Sequence, residues 1–584
     1  MSDAGLAALV PVPVVLPIAG AILSVLLGRF TSRGPLVVSV LALSGSVAVL
    51  AMLCPAVYSG HLLTSFLGHV TPSRGHELGI VFVAEPFGLT YALLVATVGT
   101  LLLTDTLSEL GGLGHKELGG YACLFQLLLA ALIGVALTAD SVDTFVWFEV
   151  AALASYGLTG FFLERPFAQE AGFKIMALTN MASFAIFIAA GMLYTAEHAL
   201  NLGQLHGALD RGVHDVALVA LGLLVAGFGT KAGLMPFHGW LADAHTAAPG
   251  PVSALFSGLM VNVGIVAIAR LTLDVYAAGG RPVLGLLTVI GAVSAVLGAV
   301  LALAQDELKR LLAYDTVSQM GVLLVGVGAA TPTALAGTVY HMLAHGLFKA
   351  LMFVTAGSIV HATGLTRISQ MGGLARHRPV TTAAFVVGAA SIVGLPGFSA
   401  YVSLALIHDS LLEEHPAVFG AMLLAQIVTV AALARATYLA FFRRRDDDYD
   451  RLESPRPGMV IAFGGLAVGS LAFGVVPTIV LDRVVAPAVA VLTHPGIYAH
   501  AALAQGVRVP IESIPFDYGK PTDVITALGT VALGLLLAWW YVRRGSEPKP
   551  VTWLRRVHTG SVNDYVLYAA GGTAVVIGAI VLGH

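Results

Sequence analysis

The sequence predicts an all-α polytopic membrane protein with about 14–16 transmembrane helices. Composition is the first reason: 57% of the 584 residues are hydrophobic and 11% charged, against about 25% charged in a soluble domain, and mean hydropathy is +0.88. The second is pattern, because the apolar residues run in windows of about 20, the length of a membrane-spanning helix, not in the alternating ten-residue segments of an outer-membrane barrel. The third is the use of 26 prolines and 66 glycines, which a bundle tolerates where neighbouring helices or water re-satisfy backbone groups.

Windows of that kind fall near residues 5–28, 35–55, 80–105, 119–138, 142–162, 171–197, 216–232, 250–273, 283–304, 311–330, 333–361, 379–411, 418–442, 457–482, 521–543 and 564–583. The opening MSDAG lacks a basic n-region, so the stretch from Leu6 to Leu27 is expected to remain as a span. Most Lys and Arg fall on alternate loops of one side, whereas Arg74, Arg211, Arg270, Arg281, Arg483, Arg508 and Lys520 fall on the other. The basic side is cytoplasmic by the positive-inside rule, which puts both termini outside the cytoplasm of a multi-pass inner (plasma) membrane protein. The run RRRDDDYDRLESPRP, from Arg443 to Pro457, is expected to be a solvated cytoplasmic loop.

Two helices are expected to be broken. Pro236, Pro249 and Pro251 surround a polar segment between Lys231 and Phe256, and GLPGFSAYVS, from Gly394 to Ser403, interrupts a window too long for one straight span. Broken helices buried in a bundle place ion sites near the midplane of transporters. A faint duplication accompanies them: WFEVAALASYGL is followed by AGFKIMAL, as LLAYDTVSQMGVL is followed by HGLFKALMF. By the span count the matching helices lie five apart, an odd number that inverts the second unit.

Four cations lie within windows: Lys174, Lys231, Lys349 and Arg435. A charge at the bilayer centre costs about 2.5–3.5 kcal/mol on insertion scales, so each needs a partner or a role. Glu149, deep in its window, is a candidate protonatable carboxylate, and Lys231 its candidate partner in a coupled pair; snorkelling to the interface is the alternative for Lys231. His341, His345 and Lys349 stand at i, i+4 and i+8, one helical face rising about 12 Å. Histidine transfers protons near neutral pH. No acidic or thiol partner completes a metal site in that stretch, and none is expected. Lys174 is a candidate relay group, Lys309 a candidate entry group beside Arg310, with Tyr314, Asp315 and Ser318 following it, and His238 and His245 are placed to hydrate the broken segment. Arg435, close to the end of its window, reads as a snorkelling anchor. Cys54 and Cys123 lie too far apart in sequence to form a cluster site, so the chain is expected to carry no cofactor and no redox or hydrolytic centre of its own.

The stretches TFVWFEVAALASYGLTGF, GTKAGLMPFHGWLADAHTAAPGPVSALFSGLMVNVGIVAIAR, LALAQDELKRLLAYDTVSQMG and YHMLAHGLFKALMFVTAGSI resemble the antiporter-like proton-translocating subunits of respiratory complex I, Mrp-type Na+/H+ antiporters and membrane-bound (group 4) hydrogenases. The resemblance runs in order over residues 143–442. It implies two inverted five-helix repeats, Glu149 and Lys231 as a carboxylate–lysine pair, and Lys309, His341, His345 and Lys349 as the second-half relay. The corresponding division is residues 1–115, N-terminal helices; 116–275, a first repeat with a broken helix; 276–445, a second repeat; and 446–584, C-terminal helices. Two positions depart from the pattern: Leu404 stands where many members carry a lysine, and Asn262 where the Mrp-type and hydrogenase-type branches often do. His408, one helical turn beyond Leu404, and the adjacent Asp409 are candidate substitutes at the exit, an interfacial polar end being the alternative. SALFSGLMVNVGI favours the Mrp-type and hydrogenase-type branches. HTGSVNDYVLYAAGG opens a last span like the extra helices of the largest complex I antiporter-like subunit, but the loop from Arg543 to Asn563 is too short for that subunit's long lateral helix.

The expected function is therefore proton translocation along a buried Glu/Lys/His axis, within a cation/proton antiporter or complex I-like assembly. Such an assembly would be an NADH:quinone oxidoreductase-like or hydrogenase-like translocase. The expected partners are other membrane subunits of that complex, protons, Na+ if the coupling is of the antiporter kind, and the lipid bilayer; nucleic acid is not among them. The alternative is the membrane proton-coupling partner of an inorganic-carbon uptake system, beside a carbonic-anhydrase-like protein. A degenerate scaffold is disfavoured, because Glu149, Lys231, His341, His345 and Lys349 are all retained at a cost in insertion energy.

Overall fold

A computed structural model describes residues 2–31, 33–67, 79–110, 112–444, 452, 454–511, 516–544, 558 and 560–583. Among these, fourteen helices are long and apolar enough to cross a membrane. They are α1 (Asp3–Leu27), α2 (Arg33–Val57), α3 (Pro86–Glu109), α4 (His115–Leu137), α6 (Pro166–Glu197), α8 (Asp215–Ala232), α10 (Gly250–Val275), α11 (Gly279–Leu303), α12 (Leu308–Ala329), α13 (Pro332–Thr363), α16 (Pro416–Phe442), α17 (Pro457–Val475), α20 (Pro521–Arg544) and α21 (Val562–Gly583). The two remaining sequence windows are α5 (Ser141–Thr159), whose Asp143 and Glu149 lower its hydropathy, and a pair, α14 (Pro379–Ile392) and α15 (Ser399–Leu412). Short helices α7 (Leu202–Leu209) and α9 (Leu241–Ala247), and one antiparallel pair of strands, β1 (Leu63–Phe66) and β2 (Val81–Ala84), complete the connections used below.

Local chemistry sets the helix starts. Proline opens α3, α6, α13, α14, α16, α17 and α20, where its missing N–H costs nothing and its fixed φ suits the first turn. Side-chain caps do the rest: Glu85 accepts from Phe87 N at 2.6 Å, Asp140 from Val142 N at 2.9 Å and Asp143 N at 2.8 Å, and Thr331 from Ala334 N at 3.1 Å. Small residues let helices touch. A Cβ on Gly298 of α11 would stand 2.5 Å from Ser318 N, and one on Gly321 of α12 would stand 2.4 Å from Ala295 N, so these helices meet backbone to backbone. Outward faces carry exposed Leu41, Phe184 and Val468, as a lipid-facing surface requires.

Both expected breaks are present. α8 ends at Gly233, in the left-handed region at φ 69°, which glycine occupies without strain; the segment then turns through His238–Trp240 into α9, held by Trp240 Nε1 donating to Thr230 O at 2.7 Å and by Met235 N donating to Ser294 Oγ at 3.0 Å. Between α14 and α15 the chain turns at Gly394, φ 67°, and Gly397, φ 87°.

One element differs from expectation. The window drawn over 457–482 ends with α17 at Val475, and a bent pair, α18 (Pro477–Leu492) and α19 (Pro495–Leu503), follows with an angle of 85°. Asp482 and Arg483 depress hydropathy in that stretch and conceal it. Residues 445–451 of the expected RRRDDDYDRLESPRP loop, and most of the segment between α20 and α21, lie outside the described residues.

Candidate proton axis

The stripe on α13 is fully buried: His341, His345 and Lys349 are each 0% exposed. An apolar helix tolerates them because α12 answers with polar groups. The Lys349 ammonium is ion-paired with Asp315 and also donates to Leu312 O at 3.1 Å. Gln319, one turn along α12, donates from Nε2 to Asp315 Oδ1 at 3.4 Å and turns Oε1 toward His341 Nε2 at 3.0 Å. His341 Nδ1 then meets Ser403 Oγ of α15 at 2.9 Å. The sequence led to a stripe on one helix, but the connected path is Lys349–Asp315–Gln319–His341–Ser403, crossing three helices. His345 stands off it, with both ring nitrogens unpartnered and its ring 6.4 Å from that of His341.

The Ser403 hydroxyl gives this path two states. Its oxygen also lies 3.0 Å from Ala400 O, and a hydroxyl has one hydrogen. With neutral His341 donating to Gln319, Ser403 donates to Nδ1. With protonated His341, Nδ1–H donates to Ser403, whose hydrogen turns to Ala400 O. A rotation of one bond accommodates a proton on His341.

The first half is arranged differently. Lys231 is 2% exposed and its ammonium has no hydrogen-bond partner. Glu149 is half-buried on α5 and acts on Lys231 electrostatically, yet no ion pair joins the two within 4.0 Å among the described residues. Lys174 pairs instead with Asp243 of α9 at 2.7 Å and with Glu170 at 2.6 Å, and Asp243 also holds Arg310 at 3.0 Å. His238 lies in the break with Nε2 3.0 Å from His558 Nε2. His245 is fully buried, stacked on Phe353 at 4.5 Å with both nitrogens unpartnered by protein groups.

Lys309 stands in the first turn of α12. Its ammonium donates to Ala248 O at 2.7 Å, and it lines a cavity of about 520 Å³ with Glu109, Arg165, Glu307 and His361. Burial raises the pKa of Glu307, which precedes α12, although Arg310 and Lys309 oppose that shift. Arg435 donates to Leu303 O and Gln305 O at 3.1 and 2.9 Å. At the other end Leu404, His408, Asp409, Tyr401 and Gln426 line a cavity of about 60 Å³, and Asp409 pairs with Lys520 at 2.6 Å. On α10, Asn262 Nδ2 donates to Gly258 O at 2.8 Å and its Oδ1 has no partner.

Sequence reading did not single out Asp243, Gln319, Glu109 or His558, and it placed Asp315 in an entry chain, not against Lys349. Gln319 does sit at i+4 from Asp315, and that spacing is the one signal that could have found it. Among the described residues, no group of three or more His, Cys, Asp or Glu is placed to hold a metal ion.

Residues 139–431 match the family model described as NADH:quinone oxidoreductase/Mrp antiporter, transmembrane. The chain is 32% identical over 451 residues to NADH-quinone oxidoreductase subunit N of Desulforudis audaxviator, covering 76% of this chain and 87% of that one. It is 30% identical over 495 residues to a Na(+)/H(+) antiporter subunit of Alkalihalophilus pseudofirmus, covering 79% of this chain and 60% of that longer one. Its fold superimposes on a chain of the Mrp complex from Dietzia sp. DQ12-45-1b with a TM-score of 0.76 and 24% identity, over 86% of this chain and 100% of that one. The chain belongs to the NADH:quinone oxidoreductase/Mrp antiporter transmembrane family.

Proposed function

We propose that this chain is a proton-translocating subunit of a multi-subunit cation/proton antiporter or complex I-like membrane assembly, contributing proton conduction and no electron chemistry. The observation that carries the proposal is the unbroken run of donors and acceptors from Lys349 through Asp315, Gln319 and His341 to Ser403. It is buried in the interior of the bundle, and its members cost insertion energy that packing alone would not select.

The chemistry follows from the partners. Protons enter from the basic, cytoplasmic end at the Lys309 cavity. Lys349 holds a proton while Asp315 faces it, because separating the pair leaves two buried charges, each costing several kcal/mol; any motion that draws Asp315 away favours release of that proton, and the Gln319 amide, which bonds Asp315 and His341 but carries no proton itself, holds the two in line. A proton on His341 is held at Nδ1, which then donates to Ser403, whose hydrogen turns to Ala400 O. In the first half Lys231 is caught without its partner, and approach of Glu149 favours its protonated form. Loading of one pair and unloading of the other are coupled through the charges between them, which include Lys174, Asp243 and Lys309. The exit runs past His408 to the Asp409–Lys520 pair, with His238 and His245 beside the first break. Both termini face away from the cytoplasm.

Proton-coupled transport by the assembled complex with Lys231→Ala tests the proposal. Transport should fall to background while the chain remains in the membrane at its normal level. A wild-type rate would exclude Lys231 from the path.

A further inference from the structure

The end of the bundle opposite the Lys309 cavity holds a second buried ionic cluster. α3 ends at Glu109, which lines that cavity, and its 24 residues rise about 36 Å at about 1.5 Å per residue, so Glu85, just before its first turn, stands at the far side. There Arg270, in the closing π turn of α10 (Arg270–Val275), pairs with Glu85 and, four residues on, with Asp274 at 2.6 Å. Glu85 and Asp274 are each 0% exposed.

Two carboxylates thus face one guanidinium, which does not give up its own proton. They are not equivalent. Glu85 is satisfied as an anion: Phe87 N and Gly88 N donate to it at 2.6 and 2.5 Å, Arg270 adds a third bond, and the start of α3 turns its positive dipole end toward it. Asp274 receives one bond, from Arg270 to Oδ2, and its Oδ1 is unpartnered by protein groups. As a second anion it would be a buried charge with half of its acceptor capacity unmet. As an acid it leaves one O–H unmatched, and a neutral group costs far less to bury than a charge.

We propose that the Arg270–Glu85–Asp274 triad is a proton-binding site, in which the two carboxylates hold one proton between them, at Asp274 Oδ1. The surroundings supply no second cation. Arg270 and Glu85 are the charged groups that act on Asp274, although α7, α11, α18 and α19 also pack against this turn. Tyr498 of α19 lays its ring over the guanidinium at 3.9 Å and spends its hydroxyl on Thr138 O at 3.4 Å. Tyr58, on the Glu85 side, is bonded to Thr90 at 2.8 Å, and Tyr276, two residues beyond Asp274, donates to Ala217 O at 2.7 Å. Removing the proton makes Asp274 a rival of Glu85 for one guanidinium, so proton occupancy sets how firmly Arg270 ties the start of α3 to the end of α10. The site shares no residue with the Lys349 axis and goes beyond the function proposed above.

The test uses the assembled complex in detergent, comparing the wild type with Asp274→Asn. Their infrared difference spectrum should contain the C=O stretch of a protonated carboxyl from the wild type, shifted downward in D2O. The unfolding temperature at neutral pH should be unchanged, because a neutral amide replaces a neutral acid. A site that holds a proton in the folded chain and loses it on unfolding makes stability fall as pH rises. From about pH 4, where an unfolded aspartate gives up its proton, to the pH at which the carboxyl band disappears, the wild type should therefore lose stability relative to Asp274→Asn. Absence of the band overturns the inference. A clear fall in unfolding temperature in Asp274→Asn at neutral pH, or a chain that does not reach its normal level, overturns it too, since either marks a charged Asp274. The same pH dependence of unfolding in both proteins does so as well.

Discussion

Asp315→Asn probes the energetics of the axis at its most buried pair. Lys349 is 0% exposed and Asp315 1%; with Asn at 315 the ammonium loses its counter-charge and keeps only neutral acceptors, the amide oxygen and the Leu312 carbonyl at 3.1 Å. Removing one partner of a buried pair costs about 3–5 kcal/mol, and at about 1.4 kcal/mol per decade that is a two- to nearly four-decade fall in the equilibrium constant for holding a proton on Lys349 in the folded chain. The lysine will surrender its proton sooner than unfold the helix, so the chain should still assemble. Proton uptake in vesicles should drop to background, and thermal unfolding in detergent should show Asp315→Asn with Lys349→Met less destabilised than the sum of the single changes, because the double variant leaves no orphaned charge. Wild-type uptake in Asp315→Asn, or additive destabilisation in the cycle, would refute the pairing as the functional element.

Two other changes separate structure from conduction. Arg270 of α10 is a buried hub, paired with Glu85, with Asp274 at 2.6 Å, and packed over the Tyr498 ring at 3.9 Å; Arg270→Ala strands two buried carboxylates and should cost about 3–5 kcal/mol, read as a lower unfolding temperature in detergent, and an unchanged temperature would show the triad to be dispensable. Asp409→Asn breaks a pair whose side chains are 31% and 35% exposed, and ion pairs at the surface add little to stability, so unfolding should barely move while proton uptake falls; unchanged uptake would remove Asp409 from the exit.

Much of this was legible because a membrane makes charge expensive. Glu149, Lys174, Lys231 and Lys349 stood out against apolar windows, and the breaks announced themselves through Pro236 and through Gly394 and Gly397. What the windows hid were partners set by packing. Lys349 meets Asp315 across 34 residues, and His238 meets His558 across 320; nothing in the local pattern of either helix fixes which face of its neighbour it will find. The expected Glu149–Lys231 contact was read from residue types, while the structure holds the two apart, as a pair that opens and closes would require in one of its states. The bent α18–α19 pair was missed for the opposite reason, since Asp482 and Arg483 diluted an apolar signal that proline had already cut.

Proton uptake by vesicles carrying the assembled complex with Lys349→Ala bears most directly on whether protons move along this axis. Uptake at background, with the chain present and assembled at its normal level, is the expected result. Uptake at the wild-type rate would contradict it.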